Sequence, residues 1–125
     1  LEPGALPPDV HAIGHVPHDW LFPQVAAVVH HGGAGTTHSA LRAGRPTIIC
    51  PFFGDQPFWG RRVAALGVGP APIPQSRLTT ERLVAALRKV SESTDMTTRA
   101  VRLGALLRAE QGAADAVTWL ERQAR

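Results

Sequence analysis

Two short segments hold the residue types in this chain that could do chemistry: His30-His31-Gly32-Gly33-Ala34-Gly35-Thr36-Thr37 and, further on, Pro51-Phe52-Phe53-Gly54-Asp55-Gln56. Gly32, Gly33 and Gly35 let the backbone take positive φ and come close to a ligand. The free N–H groups of Gly35, Thr36 and Thr37 would then stand at the positive end of a following helix, where a phosphate binds well. His31 can donate a side-chain hydrogen bond to the same anion, and the Thr36 hydroxyl can add another. Neighbours on a strand point to opposite faces, so His30 and His31 reach it together only if the strand has already ended. In the second segment the Asp55 carboxylate can accept from two adjacent hydroxyls. The Gln56 amide can both accept and donate, and the pair fixes the orientation of a sugar. Together the segments read as a site for a nucleotide sugar whose diphosphate is held without a metal.

The commoner phosphate loops do not account for the glycines. No Gly-Lys-Ser/Thr ending marks a P-loop, and Gly33-Ala34-Gly35-Thr36-Thr37-His38 breaks the dinucleotide fingerprint at its third glycine. Alone, the glycine run is also explained by a tight turn with close helix packing, and Asp55-Gln56 by a solvated turn. The pairing of the two segments favours the ligand.

Strands must end just before these segments to position them. Ala26-Ala27-Val28-Val29-His30 and Thr47-Ile48-Ile49-Cys50 are short, apolar and rich in β-branched residues, and both are expected to be strands. Val10 to Ile13 is a further strand candidate. Thr36 or Thr37 is expected to cap a helix that runs through Ala43 and is stopped by Gly44 and Pro46. Pro57 fits the first turn of a helix running to Leu66, with Gly67 at its C-cap; Gly67 to Pro74 is too rich in Gly and Pro for a regular element. Helices are further expected from Thr80, capped by Thr79, to Val90, from Thr98 to Glu110, and from Ala113 to Gln123. Strands that are apolar throughout and alternate with helices imply an α/β fold, a Rossmann-like parallel sheet with helices on both faces. Ligands sit at the carboxyl ends of such strands, so the two segments are expected to converge on one crevice.

At 125 residues the chain allows one modest α/β unit. It opens at Leu1 without an initiator Met, and Pro3 to Pro8 reads as a connection, so residues 1–125 are expected to be a piece of a larger protein. The single cysteine, Cys50, lies in an apolar run and excludes a disulfide framework; a reducing compartment, the cytoplasm, is expected. No apolar stretch approaches the roughly 20 residues that span a bilayer. The formal charge is +3, and the arginines are scattered rather than gathered into a basic run interleaved with aromatics, which excludes nucleic acid as the expected partner.

Val29-His30-His31-Gly32-Gly33-Ala34-Gly35-Thr36-Thr37, Ala43-Gly44-Arg45-Pro46 and Pro51-Phe52-Phe53-Gly54-Asp55-Gln56-Pro57-Phe58-Trp59-Gly60 follow one another in an order and spacing that is highly specific. They resemble the donor-binding signature of family 1 glycosyltransferases with the two-domain GT-B fold, the UDP-glycosyltransferases. The resemblance runs from about Gly14 to Leu87. Val16-Pro17-His18-Asp19-Trp20-Leu21-Phe22-Pro23 and Gly67-Val68-Gly69-Pro70-Ala71-Pro72-Ile73-Pro74 draw it nearest to the sterol 3-β-glucosyltransferases; macrolide and glycopeptide glycosyltransferases share a looser version.

The resemblance implies a partial C-terminal domain of a GT-B enzyme, lacking the N-terminal acceptor domain and the first part of its own domain. By it, His31, Gly33, Ala34, Gly35 and Thr36 hold the diphosphate, Asp55 and Gln56 the hexose, and Val16 and His18 lie near the uracil ring. The implied donor is a UDP-sugar, UDP-glucose first, with no metal and no separate cofactor. The implied partners are a lipophilic acceptor such as a sterol, the missing N-terminal domain, and a membrane surface touched through the acceptor side. The implied reaction is an inverting displacement whose base comes from that N-terminal domain, so no catalytic residue is assigned within the chain. Two departures stand out: His15 occupies the place of a Trp that stacks on uracil in plant members, and Ser39 that of a Glu that binds the ribose.

His11, His15 and His18 lie within a short polar stretch, but no His-Glu-x-x-His or cysteine pairing supports a metal. His38 falls inside a helix, and Trp20, Trp59 and Trp119 are expected to pack, with Trp59 near enough to Gln56 to wall a sugar pocket. Two competing functions keep the same fold. One is a non-catalytic nucleotide-binding module; the other is a different GT-B enzyme, such as a UDP-sugar epimerase or a cell-wall N-acetylglucosaminyltransferase.

Overall fold

The computed structural model describes residues 6–124. Their order is α1 (His18–Leu21), a 3-10 turn (Phe22–Gln24), β1 (Val28–His30), α2 (Ala34–Arg42), β2 (Thr47–Ile49), α3 (Gln56–Ala65), a second 3-10 turn (Gln75–Arg77), α4 (Thr80–Glu92), α5 (Thr94–Ala109) and α6 (Gly112–Gln123). β1 and β2 pair in parallel, Val28 with Thr47, Val29 with Ile48 and His30 with Ile49, so α2 is the crossover of a β-α-β unit.

β2 is buried on both sides. Ile48 packs with Cys50, Ile73, Ala86, Val90 and Met96 under α4. Its neighbour Ile49 points the other way, into Leu41, Val63 and Ala100 from α2, α3 and α5 and into Val68 from the loop after α3. The helices therefore cover both faces, as the uniformly apolar strand requires. At 0% and 1% exposure, Ile48 and Ile49 each gain about 2 kcal/mol from leaving water. β1 is less covered: Val28 packs against Phe22 and Ala40, while Val29 remains 45% exposed.

α2 and α5 cross closely because two glycines meet. A Cβ on Gly104 would lie 2.7 Å from the N and Cα of Gly44. Beside that contact, Arg42 donates to the carbonyl of Leu107 and Arg108 to the carbonyl of Arg42, each supplying a partner to the other helix's C-terminal end.

Four expectations change. Val10 to Ile13 forms no strand; it is exposed coil without a partner, Val10 at 48% and Ile13 at 61%. α2 starts earlier than a Thr36 or Thr37 cap would allow, because Gly33, extended at φ −60°, ψ 143°, holds the N-cap position and its carbonyl accepts the first intrahelical bond. Thr37 sends both its N–H and its hydroxyl to that oxygen, each at 2.9 Å. α5 starts at Thr94, where the Ser93 hydroxyl accepts from the Met96 amide. Trp20 and Trp119 do not pack, at 62% and 60% exposure. The Pro-rich opening lies partly outside the described residues.

Candidate functional site

β1 ends at His30, so strand alternation no longer governs His31. The chain then turns at Gly32, whose φ of +93° suits glycine alone. A Cβ there would also lie 2.5 Å from Ile49 Cγ2 and 3.2 Å from the Gln56 carbonyl oxygen. This close approach seats the glycine turn directly against the first residue of α3. The segments after β1 and β2 thus meet at the same end of the sheet.

Of the three glycines, only Gly32 uses positive φ. Gly33 makes room for a ring, since a Cβ on it would lie 2.5 Å from His31 Nε2. Gly35 faces open space, with nothing within 4 Å of where a Cβ would be. The first amide of α2 with an intrahelical acceptor is that of Thr37, which corrects its expected place among the free donors. The amides of Ala34, Gly35 and Thr36 come before it, in a first turn that no side chain caps and that holds no acidic residue. Ala34 and Gly35 are exposed and Thr36 is half-buried. The positive end of a nine-residue helix therefore opens to solvent beside the exposed His31.

The second segment is organised by its own amide. The Gln56 side-chain oxygen accepts from the Phe52 and Phe53 amides at 2.8 and 3.2 Å, and the residue is only 8% exposed. Its oxygen is committed to the loop and cannot serve a sugar, so Gln56 offers its NH2 group alone; the expected accept-and-donate role reduces to donation. Asp55, at the start of α3, accepts from the Trp59 indole N–H through Oδ2 at 2.9 Å. Its other oxygen has no partner among the described residues, and the carboxylate is exposed. Gly54 takes φ +64° to bring the chain around before it.

His18 stacks on Phe22 with ring centroids 4.4 Å apart and an interplanar angle of 14°. Val16 is half-buried just before it. A cavity of about 430 Å³ opens between α1 and α2, lined by Asp19, Pro23, Ser39, Arg42, Ala43 and Arg108. Ser39 lies one helical turn beyond Thr36 on α2. Sequence reasoning missed Asp19, Arg42 and Arg108 here, and no local signal ties Arg108 to residues so distant in the chain.

His30 sits behind the turn, edge-on to His31 at 6.1 Å. Its Nδ1 accepts from the Gly32 amide at 2.9 Å. Burial, then the neighbouring charges of His31 and His18, lower its pKa from 6.5 to about 4. His11, His15 and His38 are exposed. No group of three His, Cys, Asp or Glu among the described residues could hold a metal ion. No helix among them is long and apolar enough to cross a membrane.

The parallel sheet carries an open helix N-terminus at one loop and an acid–amide pair at the next, and comparison with known proteins shows that this is the C-terminal domain of a GT-B glycosyltransferase. Residues 2–121 match the family described as erythromycin biosynthesis protein CIII-like, C-terminal domain. The chain belongs to that family. It is 49% identical over 112 residues to a sterol 3-beta-glucosyltransferase of Arabidopsis thaliana, covering 90% of this chain and 18% of that protein. A sterol 3-beta-glucosyltransferase of Neosartorya fischeri is 53% identical over 112 residues, 90% of this chain and 8% of that one. Among solved structures, the kitacinnamycin glycotransferase superposes with a TM-score of 0.85 at 32% identity, over 96% of this chain and 31% of its own. The glycosyltransferase VinC in complex with dTDP gives 0.83 at 33%, over 95% and 30%. The chain thus spans less than a fifth of these curated relatives and about a third of the solved neighbours.

Proposed function

We propose that this chain is the donor-binding half of a hexosyltransferase, taking a nucleoside-diphosphate hexose, UDP-glucose first, for transfer to a hydroxyl of a lipophilic acceptor such as a sterol. The observation that carries the reading is the seat of Gly32 against Gln56. It holds three unengaged amides of α2 beside one free carboxylate oxygen and one free NH2 group. In this reading the Ala34, Gly35 and Thr36 amides and His31 take the diphosphate, Asp55 accepts from hexose hydroxyls and Gln56 donates to one. The nucleoside extends past Val16 and His18 toward the cavity at Ser39.

As the bond to the anomeric carbon breaks, negative charge grows on the β-phosphate, and fixed amides aimed at it lower the barrier without reorganising. The acceptor, and the base that deprotonates it, belong to residues outside this chain, as does any contact with a membrane surface. The sterol acceptor is supported by the identity to sterol glucosyltransferases, and the diphosphate by VinC, solved with dTDP.

Calorimetric titration with uridine, UDP, dTDP and UDP-glucose tests the reading. UDP binds well above uridine, and His31→Ala weakens UDP about tenfold or more through the loss of one charge-assisted hydrogen bond. Equal affinity for uridine and UDP overturns it. Tighter binding of dTDP than UDP overturns only the choice of nucleotide.

A further inference from the structure

We propose that His30 is a positioning residue of the donor site, a neutral imidazole protonated at Nε2 whose Nδ1 holds the Gly32 amide and so fixes the turn presenting the α2 amides. The proposal rests on the donor reading above. Gly32 cannot hold its place by its own packing: it has no side chain, and its φ of +93° is one of several conformations open to glycine. Two things select that one. Ile49 Cγ2 and the Gln56 backbone close the space on the side where a Cβ would stand, and its N–H is received by His30 Nδ1 at 2.9 Å. The His30 backbone is held by the sheet, since the Cys50 amide donates to the His30 carbonyl at 2.8 Å.

An Nδ1 that accepts carries no proton, so the proton of the neutral ring sits on Nε2. That atom is shut off from solvent and has no hydrogen-bond partner, an arrangement that burial tolerates better in a neutral ring than in a charged one. The groups facing the ring are His31 from the turn and His18 from α1, both of which oppose a charge on it. A protonated His30 would set two donors, Nδ1–H and the Gly32 N–H, against each other and release the turn. Its pKa of about 4 lies below the unfolded value of 6.5, so the unfolded chain takes up the proton first. The contribution of His30 to stability is full above pH 6.5 and is lost as the pH falls from 6.5 toward 4.

Three substitutions in the intact protein separate positioning from bulk. His30→Asn places an amide oxygen where Nδ1 was; His30→Gln carries its polar end farther out, and His30→Leu has none. With UDP as the probe, His30→Asn stays within about threefold of wild type, while His30→Gln and His30→Leu lose about tenfold or more. In nitrogen-15 spectra of the wild type, His30 is protonated at Nε2 at neutral pH. A proton on Nδ1, retention of UDP by all three variants, or equal losses that follow melting temperature overturns the proposal. A wild type that binds no UDP removes the donor reading and this proposal with it. A wild type that binds while the variants fail to separate removes this proposal alone.

Discussion

The N-termini of α2 and α3 stand side by side at the end of one sheet and have opposite hydrogen-bonding states. α2 leaves the amides of Ala34, Gly35 and Thr36 without acceptors in its first turn. α3 leaves none. The Gln56 amide bonds to the Phe53 carbonyl at 3.3 Å, Pro57 has no N–H, and the Phe58 and Trp59 amides both reach the Asp55 carbonyl, at 3.0 and 3.2 Å. Two helices in equivalent positions therefore differ in what they expose: one leaves backbone amides unengaged, the other carries side chains on a backbone already satisfied. A helix N-terminus is not by itself an anion site; what decides is whether its amides are spoken for.

The comparison is broken most severely at the contact joining the two helices. Gly32→Ala forces a Cβ to 2.5 Å from Ile49 Cγ2 at a φ of +93°, and a cost of about 2 to 4 kcal/mol is expected in urea unfolding. Unchanged stability would mean that the turn is free to move. Next in size is Ala34→Pro, which makes α2 resemble α3 by deleting one amide at a position where proline suits the first helical turn. Gly33, at ψ 143°, already has the conformation a following proline requires. UDP affinity is expected to fall about tenfold by titration while stability holds within about 0.5 kcal/mol; unaltered affinity would take that amide out of the site. The smallest effect is on the other helix. Trp59→Phe frees the Asp55 carboxylate from its 2.9 Å indole contact, and the advantage of UDP-glucose over UDP should shrink by about fivefold or less, since an exposed hydrogen bond is worth about 1 kcal/mol. A change in UDP affinity itself would place Trp59 in the phosphate half instead.

Much of this architecture could be read along the chain because its signals are local. The apolar runs at Val28 and Ile48, the breaks at Gly44, Pro46 and Gly67, the Thr79 cap and the segments after β1 and β2 all act within a few residues. Val10 to Ile13 misled because apolar residues form a strand only beside a partner, and the described chain offers none there. The α2 cap misled because threonine is a good capping residue and equally able to bond back to a carbonyl four residues earlier; Gly33, being extended, took the cap.

The types and order of the site residues were fixed before folding: a glycine turn after one strand, an acid–amide pair after the next, and a spacing that allows both to face the same end of a parallel sheet. Tertiary structure alone decided which of their atoms remain available. Gln56 spends its oxygen on Phe52 and Phe53, Asp55 gives one oxygen to Trp59, Thr37 turns inward to Gly33, and His30 receives the Gly32 amide. Residue type states how many hydrogen bonds a group can make, but each is made once, and only the folded geometry determines whether a neighbour or a ligand receives it.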